Sequence, residues 1–254
     1  MDLNCFYNCN SPLYKGFKKL FVKKVFFDDG HEKQIKKLAN DCHDFWLKQV
    51  RSFDRRGIKY ILIGEAPPFS ENHVTYVYNP NSKNRQWQTL LLNAFGVDEK
   101  SKEDAFDKLR EEGFLLIDLF PYPAKFKEIN LSNNADKEAY KELIDLSVEH
   151  YLPKLLEFLD EKLNKEVKIT FAMKRFGNYI NEVLENDNGG IGYDLFVKDK
   201  LNWKLEKREG KTYITTGKVK LKRLSPYINV VADGSGNPNP SLIRKAFNLP
   251  TIRN

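Results

Sequence analysis

The chain has 254 residues, 41% hydrophobic and 13% aromatic, enough apolar material for one core of the size a single α/β domain reaches. Its 42 Lys and Arg against 35 Asp and Glu leave a net charge of +7, which fits either an anionic partner such as nucleic acid or a solvated lysine-rich surface. No apolar run reaches the ~18 residues of a membrane span, Met1–Asn10 lacks the pattern of a secretory signal, and three cysteines fit a reducing, cytoplasmic compartment better than a disulfide framework.

Residues 14–27, YKGFKKLFVKKVFF, interleave lysines with aromatic and aliphatic side chains. That pattern suits a strip that tracks a phosphate backbone while rings stack on bases. It also suits an amphipathic segment whose Phe and Val face the core, which is the simpler reading. Over 31–53, Ile35, Leu38, Cys42, Phe45, Trp46 and Val50 recur at helical spacing and predict a helix with one buried face.

Lys59–Gly64 is a continuous apolar run, as expected of a parallel strand covered on both faces. It ends in Gly64-Glu65-Ala66-Pro67-Pro68, a stiff turn that cannot extend a ladder. Residues 83–95 read as a helix closed by Gly96, and Ser101–Arg110 as a second, opened by Ser101 with Asp104 and stopped near Gly113. A second strand, Phe114–Ile117, leads into Asp118-Leu119-Phe120-Pro121-Tyr122-Pro123. Residues 135–163 predict a helix bent at Pro153, and Val167–Met173 a third strand. The stretch 189–224 alternates polar and apolar residues around Glu209-Gly210-Lys211, the mark of an antiparallel insertion. A fourth strand, Tyr227–Ala232, runs into a proline-rich loop and a helix from about Ser241 to Phe247.

Helices between four apolar strands imply an α/β fold, a three-layer α/β/α sandwich around a four-stranded parallel sheet. Ligands of such sheets bind at the carboxyl ends of the strands. Glu65 and Asp118 occupy that place after the first two strands, and Asp118 lies inside an apolar run, so it needs partners or a shifted pKa. Other constellations are weak. Cys5, Cys9, Cys42 and His43 match no common zinc spacing, and no metal or other cofactor is expected.

Taken in order, the strand-end segments resemble the motifs of the uracil-DNA glycosylase superfamily, over about 58–250 without the 189–224 insertion. ILIGEAPP is similar to the first motif of the branch that reads Gly-Glu-Ala-Pro. LLIDLFPYP looks like the second strand, VKITFAM the third, and GNPNPSLIRKAF the closing loop and helix. The resemblance implies one domain over 1–254, with 1–55 as a helical extension, acting as a monomer on DNA. It implies an enzyme that flips a deaminated or mismatched base out of the stack and hydrolyses its N-glycosidic bond. Glu65 would support the sugar cation or the attacking water, and Asn237 or Asn239 the departing base. Tyr78 or Phe69 would stack on the base beside Ala66, and Asp118 would read its edge. Pro67, Pro68, Pro240, Ser241, Arg244 and Lys245 would face DNA, aided by the lysines of 15–24 and 218–223.

The chain also departs from that pattern. Asp118 stands where an asparagine is usual, an asparagine where many members have histidine, Ala66 where the best-known members have aspartate, and Pro68 in place of a glycine. Three cysteines are too few for the iron–sulfur cluster usual in that branch. These departures motivate two alternatives: a binding protein on the same fold that has lost base excision, and a hydrolase acting on free nucleotides or nucleosides.

Overall fold

Two apolar runs, one from each side of a helical connection, make the centre of the sheet. In the computed structural model, which describes residues 11–21, 29–70, 74–82, 86–97, 102–126, 129–172, 203–208, 211–216 and 239–250, β1 (Ile58–Gly64) pairs in parallel with β2 (Phe114–Asp118) on one side and β3 (Leu163–Phe171) on the other. Ile58, Ile61, Leu62, Ile63, Leu115 and Ile117 are fully or almost fully buried, as expected of strands covered on both faces. The chain is thus α/β, with a parallel sheet and helices packed around it. The expected fourth strand, 227–232, lies outside the described residues.

The order β2-β1-β3 means that the chain leaves β1 in one direction and returns past it in the other. Right-handed crossovers then send the two connections to opposite faces. The first carries α3 (Gln86–Phe95) and α4 (Lys102–Glu111); the second carries α5 (Asn134–Leu146) and α6 (Leu152–Leu159). The chain after β1 and the chain after β2 therefore lead on to opposite faces from the carboxyl rim, where ligands of such sheets bind.

Local chemistry sets the ends of these elements. Gly96, at φ 68°, lets the Gly96 and Val97 amides turn back onto the last turn of α3. Gly113, at φ 84°, has no room for a side chain, because a Cβ there would meet the Gly57 carbonyl at 2.7 Å. The helix expected over 135–163 is interrupted by a π-helical turn, Ser147–Tyr151, just before Pro153, whose missing N–H cannot continue the α ladder. Ser147 Oγ donates to the Leu119 carbonyl, which pins this turn to the exit of β2.

The first two helices belong to the core. In α1 (Pro12–Phe21), Leu13, Tyr14, Gly16, Phe17, Leu20 and Phe21 are buried, and Tyr14 and Phe17 pack on Tyr122 at 5.2 and 5.0 Å between ring centroids. The lysines of this segment take the outer face, where Lys18 pairs with Glu32 at 2.9 Å and Lys19 with Glu142 at 2.6 Å. The apolar-face reading of this segment therefore holds for the described part, 14–21. In α2 (Asp29–Arg51), Ile35, Leu38, Cys42, Trp46 and Val50 are buried and Phe45 is partly so.

Within the predicted insertion, β4 (Trp203–Arg208) and β5 (Lys211–Thr216) form an antiparallel hairpin, with Arg208 opposite Lys211 across a two-residue connection. The final helix is α7 (Pro240–Phe247). Trp87, in the first turn of α3, lies at the carboxyl rim, whereas Phe95 at its end packs on Tyr60, near the start of β1. Phe247, at the end of α7, packs on the same Tyr60 and on Phe95. α3 thus runs against the strands, and the end of α7 lies beside the end of α3.

Candidate active site

The rim is stiffened where β1 and β2 end. Beyond the strands the two exits keep pairing: Leu119 N–H donates to Gly64 O at 2.9 Å, Phe120 N–H to Glu65 O at 2.9 Å and Ala124 N–H to Pro67 O at 3.2 Å. Pro67 accepts in this zipper without needing to donate. Gly64 lies opposite Asp118 in the sheet register, and a Cβ at Gly64 would stand 2.8 Å from Asp118 Oδ1. The glycine is what allows the carboxyl to lie against β1.

A cavity of about 140 Å³ opens here, lined by Gly64, Glu65, Ala66, Pro67, Pro68, Thr75, Tyr76, Val77, Trp87, Leu116, Asp118 and Ala172. An apolar cavity of roughly 150 Å³ accepts one benzene ring, so this one has the capacity for a single six-membered ring. Its walls are mostly apolar, and Glu65 and Asp118 supply the two carboxyls among them. That combination suits a flat heterocycle held by its faces and read at its edges.

The two acids are each 8% exposed but differently supported. Tyr140 Oη, from α5, donates to Glu65 Oε1 at 2.5 Å, fixing one oxygen of the carboxylate. Asp118 is pushed up to about 7, first by burial and then by the charge of Glu65, while a hydrogen bond from Tyr76 works the other way. Burial thus favours the protonated form of Asp118 well above the usual carboxyl range. The surrounding Tyr76, Tyr78, Tyr151 and Cys42 are all raised, burial being the main cause and the Asp118 charge a contributor.

The rim brings together Glu65, Asp118, Ala66, Pro67 and Pro68 around one cavity. Tyr78 is a correction. Its hydroxyl accepts from Leu116 N–H at 2.6 Å and donates to Leu116 O at 3.3 Å, so it closes the outer edge of β2 and lines no part of the cavity. The tyrosine at the cavity is Tyr76, whose ring packs edge-on against Tyr78 at 5.6 Å between centroids, while Asn79 N–H donates to Tyr76 O at 3.0 Å. Phe69 lies beside the cavity lining rather than in it, with Lys125 Nζ 5.7 Å from its ring centroid.

The closing helix also differs from expectation. Asn239 spends its side-chain oxygen on the Ser241 N–H at 2.9 Å, capping α7, and neither Asn239 nor Pro240 lines the cavity. Asn237 lies outside the described residues. Arg244 and Lys245 sit in the last turn of α7, away from the helix N-terminus. The Arg244 guanidinium donates to Ala94 O at 2.5 Å and ties α7 to α3, whereas Ser241 and Lys245 are exposed. Tyr140, Tyr76 and Trp87 are site residues that sequence reading passed over. Among the described residues no cluster of His, Cys, Asp and Glu could hold a metal, and no helix is long and apolar enough to cross a membrane.

No protein-family model, curated protein or solved structure matches this chain. The likeness to glycosylases is carried by the strand-end motifs alone.

Proposed function

We propose that the chain is a DNA N-glycosylase on a uracil-DNA glycosylase-like three-layer fold, hydrolysing the bond between deoxyribose and a deaminated or mismatched base such as uracil. The observation that supports this reading best is the meeting of two buried carboxyls, from neighbouring strand ends, at a cavity the size of one ring. A base swung out of the stack enters between Pro68, Tyr76 and Trp87. Glu65, oriented by the Tyr140 hydroxyl, supports the attacking water or the positive charge that builds on the sugar. Asp118 meets the base edge. Protonated, it presents a donor and an acceptor, as uracil requires; ionised, it only accepts.

The test is incubation with oligonucleotides carrying uracil or a mismatched pyrimidine, followed by alkaline cleavage. Strand scission by the native chain, lost in Glu65→Gln, is the expected result. DNA binding that weakens steeply with salt but yields no abasic product contradicts the proposal. A second reading, hydrolysis of a free nucleoside, is favoured by Arg244, expected at the DNA, which spends one guanidinium nitrogen on the Ala94 carbonyl. Turnover of deoxyuridine without DNA affinity would select it.

A further inference from the structure

Behind Asp118, on the side of α2 and the π-helical turn, lies a second cavity of about 20 Å³, lined by residues that include Cys42, His43, Trp46, Tyr76, Asp118 and Tyr151. That volume admits a water, which needs roughly 10–15 Å³ and two or more polar partners. One wall has an unmet need. Trp46 is 5% exposed and its Nε1–H, fully buried, has no hydrogen-bond partner among the described residues. A buried N–H left unpaired is costly and rare, and an ordered water is the usual remedy.

We propose that this cavity holds one structural water, which accepts the Trp46 indole N–H and donates to the Asp118 carboxyl, making Trp46 a positioning residue for the acid at the rim. Asp118 is then held from two sides, by Tyr76 and by the water, and keeps its place whether the substrate cavity is full or empty. The π-helical turn contributes by delivering Tyr151 to the same wall, while His43 stacks on Trp46 at 5.9 Å between ring centroids. The ionisable groups facing Asp118 are Glu65 from the β1 exit, Tyr76 and Tyr78 from the following loop, Cys42 and His43 from α2, and Tyr151. The same carboxyl serves the proposed chemistry, but the test needs no substrate, so the two ideas can fail separately.

The experiment is proton–nitrogen NMR of protein labelled at the tryptophan indoles, assigned with Trp46→Phe. The native protein should show magnetisation transfer from a long-lived water to the Trp46 indole proton, and that resonance should titrate with a midpoint near 7 that vanishes in Asp118→Asn. Losing the indole donor in Trp46→Phe should raise the Asp118 midpoint, read from its carbonyl carbon, by roughly half a pH unit. An indole proton with no water contact in the native protein overturns the proposal even if the variant fails to fold. So does a Trp46 resonance unchanged across the titration.

Discussion

The ends of β1 and β2 look alike in sequence, each an apolar run closed by a carboxylate and stiffened by prolines, yet the fold treats the two acids differently. Glu65 receives a hydroxyl donor from a distant helix at 2.5 Å, which settles one of its oxygens. Asp118 is enclosed by weak acids and by the neighbouring Glu65, and it titrates near 7. Placing two carboxyls in one cavity and separating their environments is a general way to obtain two roles from one residue class. In the proposed reaction the charged role falls to Glu65 and the exchangeable proton to Asp118.

The largest expected effect falls on Glu65. Glu65→Gln keeps the shape and an acceptor for Tyr140 but removes the charge, so excision should drop by about 10²–10⁴-fold while thermal stability changes little, as single-turnover assays and melting curves would show. A variant that excises normally breaks the comparison.

Asp118→Asn comes next and should act on stability in the opposite sense. The folded protein binds the Asp118 proton more tightly than the unfolded chain does, so native stability falls as pH rises from about 4 through 7. Asparagine removes that dependence. Urea denaturation should find the variant more stable than the native protein at pH 8, by on the order of 2–4 kcal/mol, with the advantage gone near pH 4. Loss of stability at pH 8 would mean that the carboxylate is held by partners beyond Tyr76.

Smaller effects sharpen the difference. Tyr140→Phe should lower excision about tenfold without altering DNA affinity, since it releases Glu65 rather than removing it. Gly64→Ala should cost about 1–2 kcal/mol by forcing Asp118 away from β1, and should shift the Asp118 titration while sparing the Glu65–Tyr140 contact.

Much of this arrangement is legible in the sequence because it is local. The apolar runs of β1 and β2, the hairpin at 203–216 and the carboxylates at the strand ends all follow from residue type and spacing within a few positions. What is not legible depends on distance or on turn geometry. Tyr140 reaches Glu65 from the middle of α5, where nothing distinguishes it from another core tyrosine. Tyr78, not Tyr76, is taken up by the Leu116 backbone of β2, a pairing that the string TYVYN does not announce. Arg244 looks like a DNA contact and Asn239 like a support for the departing base until the fold gives their polar atoms a carbonyl and a helix cap to satisfy. Polar side chains near a site are claimed first by the backbone groups they must satisfy, and sequence shows the group without the claim.

The most direct measurement is a crystal structure of the Glu65→Gln variant bound to an oligonucleotide containing uracil. The account predicts the uracil ring outside the stack, lodged between Pro68, Tyr76 and Trp87, with its edge against Asp118 and its sugar beside residue 65. An unflipped uracil, or a ring seated elsewhere with this cavity unoccupied, would contradict it.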